Sequence, residues 1–111
     1  MTNILEKIIR EKKYSLNLIK KEKSLDILEK NIKEQSFLNF KESIQKNRSV
    51  SLITEIKKAS PSAGVLVNNF DHLEIAKIYV NNGATCLSVL TEEKHFLGKL
   101  DYIQDIKKQI K

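Results

Sequence analysis

Two short stretches hold residues whose types and spacing suit chemistry. In Val50–Leu66, VSLITEIKKASPSAGVL, an apolar run passes into Glu55, Lys57 and Lys58 and breaks at Ser60-Pro61-Ser62. Glu55 and Lys57 are two residues apart, so on a strand their side chains share a face. A carboxylate beside an ammonium keeps the lysine charged and fixes its position, which suits it to hold an anionic substrate group. The same spacing also reads as a plain strand-end ion pair. In the second stretch, Leu87–Gly98, Lys94 follows Glu92 and Glu93. If the two strands are neighbours, Lys94 converges with Lys57. Two adjacent cations lower each other's proton affinity, which would fit one of them to donate a proton. The competing reading of Lys94 is a solvated loop lysine.

The remaining candidates are weaker. Ser60 and Ser62 offer hydroxyls for an anion, or ordinary turn chemistry about Pro61. Phe96 reads as a wall of an aromatic pocket or as loop packing. His95 has no partner placed beside it by the pattern, His72 opens a helix and reads as a surface residue, and Cys86 sits inside a strand as a buried thiol. No zinc-ligand spacing, phosphate-binding glycine loop, dinucleotide fingerprint or nucleophile elbow occurs.

The elements that position these residues follow from periodicity. Asn3-Ile4-Leu5-Glu6 has the form of a capping box, and Ile4, Leu5, Ile8, Ile9, Leu16 and Ile19 continue at helical spacing to about Lys23. Ser24 caps a second, shorter helix with Leu25, Leu28 and Ile32. Phe37, Phe40 and Ile44 mark a third apolar stripe ending near Asn47. These stripes read as packing surfaces. Val50–Ile56 is a strand with adjacent apolar residues, as in a sheet covered on both faces. A loop over 57–69 leads to a helix capped by Asp71 and Glu74, with Phe70 stapled to Ile75. Leu73, Ala76, Tyr79 and Val80 form its buried face and Gly83 its end. Thr85–Leu90 is a second strand, 91–98 a charged loop, and Leu100–Ile110 a helix with Leu100, Ile103, Ile106 and Ile110 inward. Strand–loop–helix twice over predicts an α/β fold with right-handed crossovers and parallel strands. Two such strands need neighbours at both edges, so the chain reads as part of a larger sheet.

Composition narrows the class. The 111 residues are 41% hydrophobic and 31% charged, in the range of a globular domain. No apolar run approaches the roughly 20 residues of a membrane span, and the lone Cys86 agrees with a reducing compartment, so a cytoplasmic protein without membrane partners is expected. The net charge of +6 invites nucleic acid. Yet bases alternate with acids along Glu6, Lys7, Arg10, Glu11, Lys12 and Lys13, as on solvated helix faces, and an anionic small molecule accounts for the excess equally well. A small basic helical protein that binds nucleic acid is the alternative reading.

Residues Leu52–Ser62, LITEIKKASPS, resemble position by position the signature of indole-3-glycerol phosphate synthases, and Ser88–Gly98, SVLTEEKHFLG, is similar to that family's segment after its second barrel strand. The opening ILEKII, Phe40-Lys41-Glu42, Phe70-Asp71 and Ile75-Ala76 are similar as well. The order Glu-x-Lys-x-x-Ser-Pro-Ser argues against phosphoribosylanthranilate isomerase, a related barrel. The resemblance implies a (β/α)8 TIM barrel, about 250 residues in its usual form. Of that barrel the chain would supply a helical N-terminal arm (residues 1–49) and the first two βα units (50–111). It implies a carboxy-lyase of tryptophan biosynthesis that uses no metal or organic cofactor and acts on a phosphorylated anionic substrate. Lys94 would be the general acid, Lys57 would hold the substrate's carboxylate and phosphate end, and Glu55 would orient the lysines. Ser60 would bind near the carboxylate and Phe96 would face the anthranilate ring. A later-strand acid and the phosphate-binding loops would come from a complementary C-terminal barrel half, without which the 111 residues are expected to be inactive. The frequent basic residue at position 63 is Ala63 here.

Overall fold

The computed structural model describes residues 3–32, 37–46 and 49–110. Among the described residues five helices and four strands follow in order: α1 (Ile4–Glu22), α2 (Leu25–Lys30), α3 (Phe40–Lys46), β1 (Ile53–Ile56), β2 (Ala59–Ser60), β3 (Gly64–Val65), α4 (His72–Asn81), β4 (Cys86–Val89) and α5 (Asp101–Gln109). They group into two compact units, Met1–Phe37 and Leu38–Lys111.

The first unit holds α1 and α2. Asn3 accepts the Glu6 amide at 2.8 Å and Ser24 that of Ile27 at 3.4 Å, so both predicted N-caps form. Neither helix buries a residue. The stripe expected to pack stays open, with Ile4, Ile9 and Ile19 all exposed, because the six-residue α2 offers too little surface to cover a 19-residue helix.

In the second unit, α3 starts behind Asn39, whose side chain accepts the Glu42 amide at 3.0 Å. The helix ends at Lys46, and the predicted end at Asn47 lies outside the described residues. Strands β1 and β4 pair in parallel, with Ile53 opposite Cys86 and Ile56 opposite Val89. Both are shorter than the sequence suggests. Asp71 accepts the Leu73 and Glu74 amides at 3.0 and 3.1 Å to start α4. The chain leaves α4 through Gly83 at φ +94°, the left-handed conformation that ends helices. Ile56, Ala76 and Ile106 form the buried centre, with Phe70, Tyr79, Leu87, Val89 and Ile110 packed against it. Helices α4 and α5 thus pack over Ile56 of β1 and against Leu87 and Val89 of β4.

Other details also depart from expectation, and Val80, expected on the buried face of α4, is exposed. The segment 57–69 is not all loop: β2 and β3 form a small antiparallel hairpin, Ala59 opposite Val65 and Ser60 opposite Gly64. Gly64 makes its turn at φ +67°, and strands of two residues leave no alternation to read. On α5 only Ile106 is buried. Leu100, the N-cap position, and Ile103 are exposed. His72 is not a surface residue: its ring stacks on Tyr102 with centroids 4.2 Å apart, and Nε2 lies 2.9 Å from Asp105 Oδ2, tying α4 to α5. Among the described residues no helix is long and apolar enough to cross a membrane.

Candidate functional site

Ile56 sets the geometry at the end of β1. It is 1% exposed and turned into the helix layer, so alternation directs Glu55 and Lys57 to the opposite face. Glu55 Oε1 and Lys57 Nζ are 3.1 Å apart, the pairing expected from their spacing. The side chains are 48% and 32% exposed, and an ion pair this open contributes about 0–1 kcal/mol. That is too little to explain the pair by stability. What the pair shows is a lysine ammonium lying beside a carboxylate at a strand end.

The parallel ladder brings the second loop to the same end. Glu55 sits opposite Ser88, and the Leu90 amide donates to the Ile56 carbonyl at 3.1 Å, carrying the pairing to the last residue of β1. The loop bearing Lys94 therefore leaves the sheet beside the one bearing Lys57. Its shape comes from Glu92. One carboxylate oxygen accepts the Lys94 amide at 3.0 Å, and the other accepts those of His95 at 2.7 Å and Phe96 at 3.0 Å. The Glu92 carbonyl also accepts the Gly98 amide at 2.8 Å. Leu97, at φ +52°, completes the tight return. Lys94 is thus held by its main chain, with its side chain exposed, while Phe96 is half-buried.

The pull on Glu92 is electrostatic. Burial opposes its ionisation, but the amide hydrogen bonds from His95, Phe96 and Lys94, with the nearby His95 charge, outweigh it and hold the carboxyl below the usual glutamate range. A carboxyl lowered in the folded state stabilises above its unfolded pKa, and the contribution fades as pH falls through the folded value. The amide proton shifts of Lys94, His95 and Phe96 are therefore expected to titrate together, below the ordinary glutamate range, and Glu92→Gln should abolish that step. Titration at or above the ordinary range would contradict this reading of the loop.

Ser60 lies on β2, where its hydroxyl accepts the Ala63 amide at 3.2 Å and sits 3.4 Å from the Ser62 hydroxyl, so it serves the hairpin turn. Cys86 is half-buried and lines an apolar groove of about 390 Å³ with Phe40, Leu87, Val89, Ile103 and Ile106. With Ala84 and Thr85 before the strand and Val89 at its last residue, the groove runs the length of β4. Among the described residues no three His, Cys, Asp or Glu side chains gather as metal ligands.

Sequence reasoning noted Glu92 only as an acid before Lys94. An acid followed within four residues by a tight turn is the signal that could have found it. It missed the Tyr79 hydroxyl, which donates to the Glu55 carbonyl at 3.0 Å from 24 residues away.

A parallel strand pair, each strand followed by a loop and a helix, defines an α/β chain built of βα units, with an acid, lysines and an aromatic near the strand ends. The sequence matches the family model of indole-3-glycerol phosphate synthase over residues 5–111. The chain belongs to the indole-3-glycerol phosphate synthase family. Relatives of that name include one from Desulforamulus reducens, 46% identical over 107 residues that cover 96% of this chain and 40% of the relative. One from Clostridium acetobutylicum is 43% identical over 106 residues, covering 94% of this chain and 40% of the relative. One from Dehalococcoides mccartyi is 55% identical over 62 residues, covering 56% of this chain and 24% of the relative. The chain spans about 40% of the length of the first two relatives.

Proposed function

We propose that this chain is the N-terminal part of an indole-3-glycerol phosphate synthase, a cytoplasmic carboxy-lyase. It supplies the helical arm (residues 1–49) and the first two βα units (50–111) of a (β/α)8 barrel. The observation that carries the reading is the Glu55–Lys57 pair at the end of β1, beside the Lys94 loop across a parallel ladder. The substrate is 1-(2-carboxyphenylamino)-1-deoxyribulose 5-phosphate, which is anionic at both ends and meets a chain of net charge +6.

In this reading the ring carbon bearing the carboxylate attacks the ribulose ketone. As that carbon–carbon bond forms, Lys94 gives its proton to the ketone oxygen, which becomes a hydroxyl instead of an alkoxide. Breaking the bond to the carboxylate releases carbon dioxide and returns its electron pair to the ring. The hydroxyl then leaves as water on taking a proton from an acid, while the adjacent methylene carbon, next to the nitrogen, gives a proton to a base; the carbon–carbon double bond that forms completes the pyrrole. The methylene proton needs a base from the complementary C-terminal barrel half, so the 111 residues alone do not complete the reaction. Lys57 holds the carboxylate and phosphate end, Glu55 orients the lysines, Ser60 binds near the carboxylate and Phe96 packs on the anthranilate ring. The apolar groove beside β4 supports a further βα unit seated against that strand.

Lysine footprinting tests the assignment. The chain is mixed with the remaining portion of the Desulforamulus relative and acylated with and without the substrate's ketone-reduced analogue. Slower acylation of Lys57 and Lys94, with Lys107 and Lys108 on α5 unchanged, is expected. Equal labelling of all four in both conditions would count against a substrate site at these strand ends.

A further inference from the structure

The Glu55–Lys57 pair is too open to set its own geometry, so the main chain beneath it must do so. One edge of β1 is held by β4: the Leu52 carbonyl accepts the Thr85 and Cys86 amides at 2.8 and 3.2 Å, and the Ile56 carbonyl accepts Leu90 at 3.1 Å. Alternation along a strand then turns the Glu55 carbonyl to the opposite edge. Among the described residues no strand lies there, and the donor that meets the carbonyl is the Tyr79 hydroxyl at 3.0 Å. Tyr79 lies three residues after the fully buried Ala76, on the same face of α4. Its ring packs against the Ile56–Ala76–Ile106 cluster. The ring is thus anchored by the core while its tip grips the peptide of the residue that carries the carboxylate.

We propose that Tyr79 is a positioning residue for the Glu55–Lys57 pair. Its hydroxyl pins the β1 main chain at Glu55, so that the carboxylate reaches Lys57 Nζ and holds the ammonium where an anionic group would be bound. Phenylalanine would fill the same space, so packing alone leaves the hydroxyl without a purpose. A carbonyl has two lone pairs, so the Tyr79 bond is compatible with a further strand donating an amide at that edge. The inference rests on the reading of Glu55 and Lys57 as substrate-handling residues, but its test does not depend on turnover.

The test is Tyr79→Phe in the unliganded chain, followed by NMR and by lysine acylation. The variant should move the Glu55 carbonyl carbon upfield, weaken the side-chain NOE between Glu55 and Lys57, and raise acylation of Lys57 severalfold relative to Lys107. Ile110→Val, which loosens the core without touching this bond, should lower thermal stability and leave those signals in place. The proposal is overturned if Tyr79→Phe leaves the Glu55 carbonyl and Lys57 reactivity unchanged, or if Ile110→Val moves both equally. A chain that shows the Tyr79 effect but no ring closure after reconstitution would refute the enzymatic reading and leave the positioning intact.

Discussion

Lys94→Ala is expected to slow ring closure by the reconstituted protein by about 10²–10⁴-fold, the usual contribution of a positioned general acid. At roughly 1.4 kcal/mol per tenfold, this is about 3–6 kcal/mol of transition-state stabilisation. The loss should fall mainly on kcat, because the proton is needed only as the ketone oxygen gains charge. The fold offers a clean control. The bonds from Glu92 are to main-chain amides, which alanine also supplies, so these bonds are retained in the variant, and its melting temperature is measured alongside. Lys57→Ala should instead weaken substrate binding and raise KM, since an anion-holding cation serves ground and transition states alike. A small effect of Lys94→Ala on kcat, with the loop intact, would remove Lys94 from the role of acid.

Gly98→Ala should be the most damaging single methyl in the second unit. Gly98 is buried where the Lys94 loop folds back onto the end of β4. An added Cβ would overlap the Leu90 carbonyl oxygen and come within 2.8 Å of its carbon and 2.9 Å of Thr91 Cα. All three are main-chain atoms, so no side-chain rotation relieves the clash. The Leu90 amide also closes the β1–β4 ladder, so a shift there reaches the pairing itself. Overpacking of this kind costs about 1–3 kcal/mol, and more where the neighbours are rigid. The buried hydrophobics among the described residues are few, Ile56, Ala59, Ala76 and Ile106, so such a loss is a large share of what holds the unit together. Denaturant unfolding should show the drop. Alanine at Gly64, whose added Cβ would meet nothing within 4 Å, pays only for its φ of +67° and should cost less. Equal stability of Gly98→Ala and the parent would mean that the loop does not return against Leu90.

What could be read from the sequence and what could not divide along contact range. The caps at Asn3, Ser24 and Asp71 were legible because each joins a side chain to an amide two or three residues on. Glu55 and Lys57 were legible for the same reason, strand period making them neighbours. The parallel pairing of β1 and β4 followed from strands that alternate with helices. The contacts that join separate elements link distant residues: Tyr79 to Glu55 across 24 positions and His72 to Asp105 across 33. No periodicity marks them. Glu92 lay within reach, but a carboxylate spread over three amides resembles any loop acid until the turn is seen. The stripe on α1 shows a further limit, since amphipathicity states that a face is apolar and not what covers it. The reaction itself came from the resemblance of two motifs, because charge at strand ends defines a site for an anion and not a ring closure.

The most direct measurement is the rate of indole formation, followed by fluorescence, as the 111-residue chain is titrated with the remaining portion of the Desulforamulus relative. The expected result is no product from either polypeptide alone and a rate that rises and saturates at equal amounts of the two. Full turnover by the 111 residues alone, or no turnover from a stable folded complex of both, would contradict a barrel whose first wall carries the acid and whose base lies elsewhere.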